Sequence, residues 1–294
     1  MNPSAPRGGV PEELDHAGVR WSTAASAALG EQVSYWASVP AGRGPFPVLH
    51  LLHGRGDSYV DSLRLLGRVR AGEARGRFPP HVVVGVDAPW SARGSWYVDS
   101  VHARGRPVAR ALLDDVLPAV ESALPVRDDR NARTVGGWSM GAAGAVRLAL
   151  LRPEVFGRVL ALSPAVYQGL PPGESNTRRY GAFGEGELLF SEERWRALHH
   201  GRLLVERDRS FDLHLALAAG DAEVPGSREA VLLRRALMRS GVEVDFRVLP
   251  GGHDWSVWCP AFDWAMEQLW SIRANSDKWI QSTSCLIGPQ ETKS

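Results

Sequence analysis

The sequence predicts an α/β protein: a mostly parallel central sheet with helices on both faces and an antiparallel N-terminal edge. Three observations carry this. From Val48 onward, short apolar runs of strand length alternate with stretches of helical spacing, the pattern of strand–helix–strand units. Before that point, residues 19–40 read instead as alternating β-prone segments such as Val33 to Val39, which suit an antiparallel edge. And 294 residues, 44% of them hydrophobic, suffice for one large core.

The elements follow in order. Residues 1–18 hold Pro3, Pro6, Gly8, Gly9 and Pro11 and read as a loose leader. Ala41 to Pro45 is a turn, and Val48 to Leu52 a buried strand. Tyr59 to Val69 has helical spacing, Val82 to Val86 is a strand, and Val108 to Leu124 a helix with Ala109, Leu112, Leu113, Val116, Leu117 and Val120 on its apolar face. Thr134 to Gly137 is a strand, Gly141 to Leu151 a helix rich in small residues, and Val159 to Leu162 a strand. The strand Leu213 to Ala219, a helix near Arg228 to Met238, the strand Val244 to Leu249 and a helix Phe262 to Ile272 complete the alternation. Residues 165–205 break it. Their Pro, Gly and charge, with one helical piece at Arg194 to His199, suit a lid-like insert. One α/β domain is thus expected over 19–274. The only lysines are Lys278 and Lys293, the other 32 of 34 basic residues being arginine, and all three isoleucines fall at Ile272 or later. That composition break marks 275–294 as a non-core tail.

Composition excludes several classes. A net charge of +1 with no basic face calls for neither nucleic acid nor an anionic membrane. No apolar run reaches the ~20 residues of a membrane span, and none has signal-peptide character. The expectation is a cytoplasmic chain, or a secreted one in mature form. Cys259 and Cys285 imply no disulfide framework. There is no H-E-x-x-H and no Cys/His cluster of zinc spacing, so neither metal nor cofactor is expected.

The chemistry gathers around Gly137-Trp138-Ser139-Met140-Gly141. G-x-S-x-G alone is a modest pattern, but here a strand precedes it and a helix follows. That is a nucleophile elbow, a tight turn lifting the Ser hydroxyl above the sheet. A hydroxyl needs a base, and after such a serine the chain order is acid, then His. Four histidines follow Ser139. His214 lies within a strand, where packing is expected, and His199 and His200 read as a solvated pair in the insert. His253 follows the strand Val244 to Leu249 and the loop Pro250-Gly251-Gly252, so it can reach the C-terminal edge of the sheet. The acid should follow the preceding strand, which ends in Gly220-Asp221-Ala222-Glu223, and spacing alone leaves Asp221 and Glu223 both open. Two backbone donors should hold an oxyanion, the N–H of Met140 and that of Arg55 in His53-Gly54-Arg55-Gly56-Asp57. His53 would brace that turn. Trp90, Trp96, Tyr97, Trp138, Trp255 and Trp258 are expected to wall a pocket, with Trp138, Trp96 and Trp255 against substrate.

Leu51-Leu52-His53-Gly54, Gly94-Ser95-Trp96-Tyr97-Val98-Asp99, Gly136 to Gly141, Leu162-Ser163-Pro164-Ala165 and Pro250 to Trp255 together resemble the Putative esterase family of α/β-hydrolases. It includes esterase D-like, feruloyl, acetylxylan, tributyrin-type and enterochelin esterases and the mycolyltransferases. The resemblance implies the α/β-hydrolase fold and a serine carboxylesterase with no cofactor, acting on a small ester with a short acyl or aryl group. It implies Glu223 as the acid, three residues after Gly220 and thirty before His253. Asp221 stays open, because most of these esterases resemble one another in using Asp. Acyl transfer to a sugar or alcohol, and an inactive hydrolase fold serving as a binding module, are the rival expectations.

Overall fold

Side-chain direction along the central strands decides the layering. In β3 (Val48–Leu52), Val48 and Leu52 join one core cluster, Leu49 and Leu51 the other. In β7 (Arg158–Leu162), Val159 and Ala161 alternate with Leu160 and Leu162 in the same way. A strand whose two faces are both buried needs helices on each side. The computed structural model describes residues 18–88 and 94–270. The expected leader, Trp90, Cys285 and the tail 275–294 lie outside the described residues, Gly18 apart.

One eight-stranded sheet runs in the order β1-β2-β4-β3-β6-β7-β9-β10. β1 (Val19–Ser26) and β2 (Glu31–Ser38) pair antiparallel, and β2 pairs antiparallel with β4 (Val82–Val86). From β4 on, through β3, β6 (Arg133–Trp138), β7, β9 (His214–Gly220) and β10 (Glu243–Leu249), every neighbour is parallel. The antiparallel N-terminal edge and parallel remainder are those the sequence predicts.

One face carries α1 (Leu63–Ala74), entered through a 3-10 turn at Tyr59–Ser62, and α8 (Trp255–Trp270). The other carries α4 (Met140–Leu151), α6 (His200–Glu206), α7 (Gly226–Arg239) and a helix in three parts. Those parts are α2 (Val108–Arg110), a π-helical turn at Ala111–Val116, and α3 (Leu117–Ser122). β5 (Val101–His102) and β8 (Glu185–Gly186) form a separate two-stranded ribbon.

Three expectations are corrected. α8 starts at Trp255, seven residues before the expected Phe262. Asp254 caps it: its Oδ1 accepts from the Ser256 amide at 2.8 Å and its carbonyl from Trp258 N at 3.0 Å. Pro260 interrupts the sequence pattern but is carried inside the helix. The insert holds two helices, α5 (Glu192–Ala197) and α6, in place of one. Its histidines are also not a solvated pair. His200 is buried, its Nε2 2.9 Å from Gln168 Nε2, and His199 Nε2 lies 2.7 Å from the Tyr167 carbonyl. Arg147 of α4 anchors this segment from below, donating to the carbonyls of Leu198 and Trp96.

Candidate active site

The elbow forms where β6 ends and α4 begins. Ser139 sits at φ 54°, ψ −117°, a left-handed conformation costing a non-glycine residue of order 1–3 kcal/mol. The surroundings enforce it. Ser139 N donates to Leu162 O at 2.9 Å, and its carbonyl accepts from Ala143 N and Ala165 N. The flanking glycines are steric requirements. A Cβ on Gly137 would lie 2.2 Å from the Leu52 carbonyl oxygen, and one on Gly141 2.0 Å from the same atom. β3 and α4 therefore pack backbone against backbone beside the serine.

Three loops after three strands bring the other groups to it. His253 follows β10, and its Nε2 lies 2.9 Å from Ser139 Oγ. Its Nδ1 lies 3.0 Å from Glu223 Oε2 on the loop after β9. A carboxylate only accepts, so the imidazole proton belongs on Nδ1 and Nε2 is left to accept from the serine hydroxyl. Glu223 is 5% exposed, and its buried charge is met on both oxygens. Oε1 accepts from Gly220 N at 2.7 Å and from Ser163 Oγ. Asp221 is exposed; its Oδ1 accepts from Gly251 N at 2.9 Å and braces the His loop without touching the imidazole. Ser163 escaped the sequence reading as a site residue, although Leu162-Ser163-Pro164-Ala165 was noticed as a motif. It too has positive φ, 47°, which turns its hydroxyl toward a residue sixty positions later.

The Arg55 and Met140 amides have no hydrogen-bond acceptor among the described residues. β3 and β6 are register neighbours, Leu52 opposite Gly137, so Arg55 and Met140 leave adjacent strand ends three residues on. His53 is fully buried and braces this turn, with Nδ1 donating to Gly54 O at 2.8 Å and Nε2 accepting from Ala88 N at 3.3 Å. Tyr97 Oη donates to the His53 carbonyl at 3.0 Å.

Trp138 and Trp96 are placed differently from the expected wall. Trp138 is 0% exposed, packs at a tilt against Trp255 with ring centroids 4.8 Å apart and donates from Nε1 to Asp57 Oδ2 at 2.7 Å. It points into the α1/α8 layer beneath the serine and offers no surface to a ligand. Trp96 is 3% exposed and packs on Phe183. Trp255 is half-buried, and Trp258 meets the His253 ring edge-on at 5.2 Å. The rings of Trp138, Trp255 and Trp258 pack together beside the His253 loop. His214 is also not a core residue: it opens β9, half-exposed, with Nε2 2.7 Å from Asp245 Oδ2. Cys259 is free. Among the described residues no cluster of His, Cys, Asp and Glu has the makings of a metal site, and no helix is long and apolar enough to cross a membrane.

A mostly parallel sheet with a strained serine at a strand–helix elbow and helices on both faces is the α/β-hydrolase fold. The chain belongs to the Putative esterase family, whose pattern matches residues 26–269. It is 28% identical over 232 residues to an acetyl esterase of Caldicellulosiruptor saccharolyticus, a match covering 74% of this chain and 82% of that one. To the iron(III) salmochelin esterase of Escherichia coli O6:H1 it is 25% identical, covering 69% of this chain but 46% of the relative, so it spans under half the length of that protein. Among solved structures, a ferulic acid esterase superposes with TM-score 0.68 at 21% identity, over 85% of this chain and 96% of the other. The enterobactin esterase of Shigella flexneri gives TM-score 0.65 at 22% identity, over 91% and 61%.

Proposed function

We propose that this esterase hydrolyses carboxylic esters of short acyl or aryl groups through an acyl-enzyme on Ser139. His253 serves as base and Glu223 as its orienting acid, and the Met140 and Arg55 amides form the oxyanion hole. The observation that carries this is the continuous chain Ser139 Oγ–His253 Nε2 at 2.9 Å and His253 Nδ1–Glu223 Oε2 at 3.0 Å.

The steps follow from that chain. Ser139 Oγ attacks the ester carbonyl as Nε2 takes its proton, and the resulting imidazolium is stabilised by the buried Glu223 carboxylate. The carbonyl oxygen gains negative charge beside the two free amides, one of them at the N-terminus of α4, where aligned backbone dipoles favour an anion. His253 returns the proton to the leaving alcohol. Water, deprotonated by the same nitrogen, then attacks the acyl-enzyme and frees the acid. The small acyl or aryl preference draws support from the acetyl esterase and ferulic acid esterase relatives.

Ser139→Ala tests the reading on a p-nitrophenyl ester series of increasing acyl length. The expected result is a loss of kcat of about a thousandfold or more, with unchanged circular dichroism and loss of labelling by a fluorophosphonate probe. Turnover within about tenfold of wild type would overturn it.

A further inference from the structure

Arg55 does more in this arrangement than present a backbone amide. Its side chain runs over Gly94, its Cγ 3.3 Å from where a Cβ on that glycine would sit, and the guanidinium lies over the Tyr180 ring, 5.9 Å from the centroid. Gly94 has φ +86°, so both backbone and space reserve that path for the arginine. Tyr180 belongs to the segment that leaves the elbow after β7, where Ala165 N is bonded to the Ser139 carbonyl. The arginine thus bridges the oxyanion loop and the lid-like segment beside the serine.

Among the described residues no carboxylate meets its charge. Arg68, Arg77 and Arg106 each reach a carboxylate at 2.5–2.8 Å; Arg55 is exposed and has no carboxylate partner among the described residues. The nearest acid in its own loop, Asp57, is engaged by Trp138. A guanidinium is a planar fork that takes a carboxylate through two parallel hydrogen bonds, and the face of an aromatic ring attracts it.

We propose that Arg55 is a specificity-determining residue that selects esters bearing a carboxylate close to the scissile bond, with Tyr180 as the seat that aims it. The proposal rests on Ser139 being the nucleophile. It names a substrate charge, which the esterase reading by itself does not.

The test compares charged and neutral esters of matched length. On the acyl side, mono-p-nitrophenyl adipate is set against its methyl ester; on the alcohol side, 4-carboxyphenyl acetate against 4-carbamoylphenyl acetate. The readout is the ratio of kcat/KM, charged over neutral, in wild type, Arg55→Gln, Arg55→Lys and Tyr180→Leu. In at least one arm the ratio should fall about tenfold in Arg55→Gln, the scale of one charged hydrogen bond, mainly through KM. Arg55→Lys should keep part of it, and Tyr180→Leu should lose part. The arm that responds says which side of the ester carries the anion. In wild type the ratio should also shrink as ionic strength rises to about 1 M, where screening acts within about 3 Å, a measurement that needs no variant. Ratios equal within about twofold across all proteins in both arms, with Ser139 still essential, overturn the role of Arg55 alone. Turnover by Ser139→Ala overturns the reading beneath it.

Discussion

Glu223 divides its two oxygens between two tasks. Oε2 meets His253 Nδ1, while Oε1 is held by Ser163 Oγ and the Gly220 amide. Glu223→Gln keeps the shape but exchanges an acceptor for a donor, which disfavours the productive tautomer; kcat should fall on the order of a thousandfold. Asp221→Asn alters only the brace on Gly251, and its kcat/KM should stay within about threefold. Ser163→Ala removes one of the two restraints on Oε1. It should lower kcat about tenfold at constant KM, a split expected of a positioning residue and not of a substrate contact. Steady-state kinetics on one p-nitrophenyl ester checks all three. The serine, the histidine and the pair of candidate acids were legible because each closes a strand with a loop of distinctive residues. The choice between the acids was not legible from spacing, because Asp221 and Glu223 share one turn and only its backbone geometry decides which faces the imidazole. Ser163 left no local signal, since its partner lies sixty residues away.

At the scale of elements, contact between β3 and α4 leaves no room for side chains. Gly141→Ala would drive a methyl group to 2.0 Å from the Leu52 oxygen; the strain should cost about 3 kcal/mol and lower the melting temperature accordingly. On the other flank, α4 holds the 165–205 segment through Arg147. That side chain is buried, donates to Trp96 O at 2.8 Å and Leu198 O at 3.1 Å, and lies 5.4 Å from the Phe183 ring centroid. Burial lowers its pKa to about 10, so it remains a cation there. Arg147→Leu would leave two carbonyls unmet, at about 1–3 kcal/mol each. Limited proteolysis should then cut within 166–206 before the rest of the chain opens. Strand positions were readable in the sequence because their runs are apolar on both faces. The start of α8 was hidden by Pro260, and the burial of Trp138 and Trp96 was not legible because a large ring on a loop looks the same whether it faces a ligand or the layer beneath. The fate of Trp138 follows from Asp57, which draws the indole inward.

Across the whole molecule, buried histidines set the acid limit. Burial pushes His81 down to about 3, and holds His199 and His200 below the usual imidazole value. All three take up a proton less readily in the fold than in the unfolded chain, which does so below about 6.5. The unfolded state therefore binds more protons, and stability falls as pH drops beneath that value. His81 alone accounts for about 5 kcal/mol between its ordinary 6.5 and about 3. Urea midpoints measured from pH 8 downward should hold steady, then decline below about 6.5, and the decline should be shallower in His81→Gln.

Among the described residues, the last strand of the sheet has one neighbour. β10 hydrogen-bonds to β9 on one side, and only Leu249 of its seven residues is buried. His253 hangs from the end of this border strand, whereas Ser139 hangs from β6 in the middle. Peripheral strands peel away at lower free-energy cost than central ones. As denaturant is added, esterase activity should consequently vanish before far-ultraviolet ellipticity changes, leaving a well-folded but silent protein. Its catalytic half-life would then measure the tenacity of one seam of hydrogen bonds, and ligands that bridge His253 to the elbow would prolong it without raising the melting temperature to the same degree.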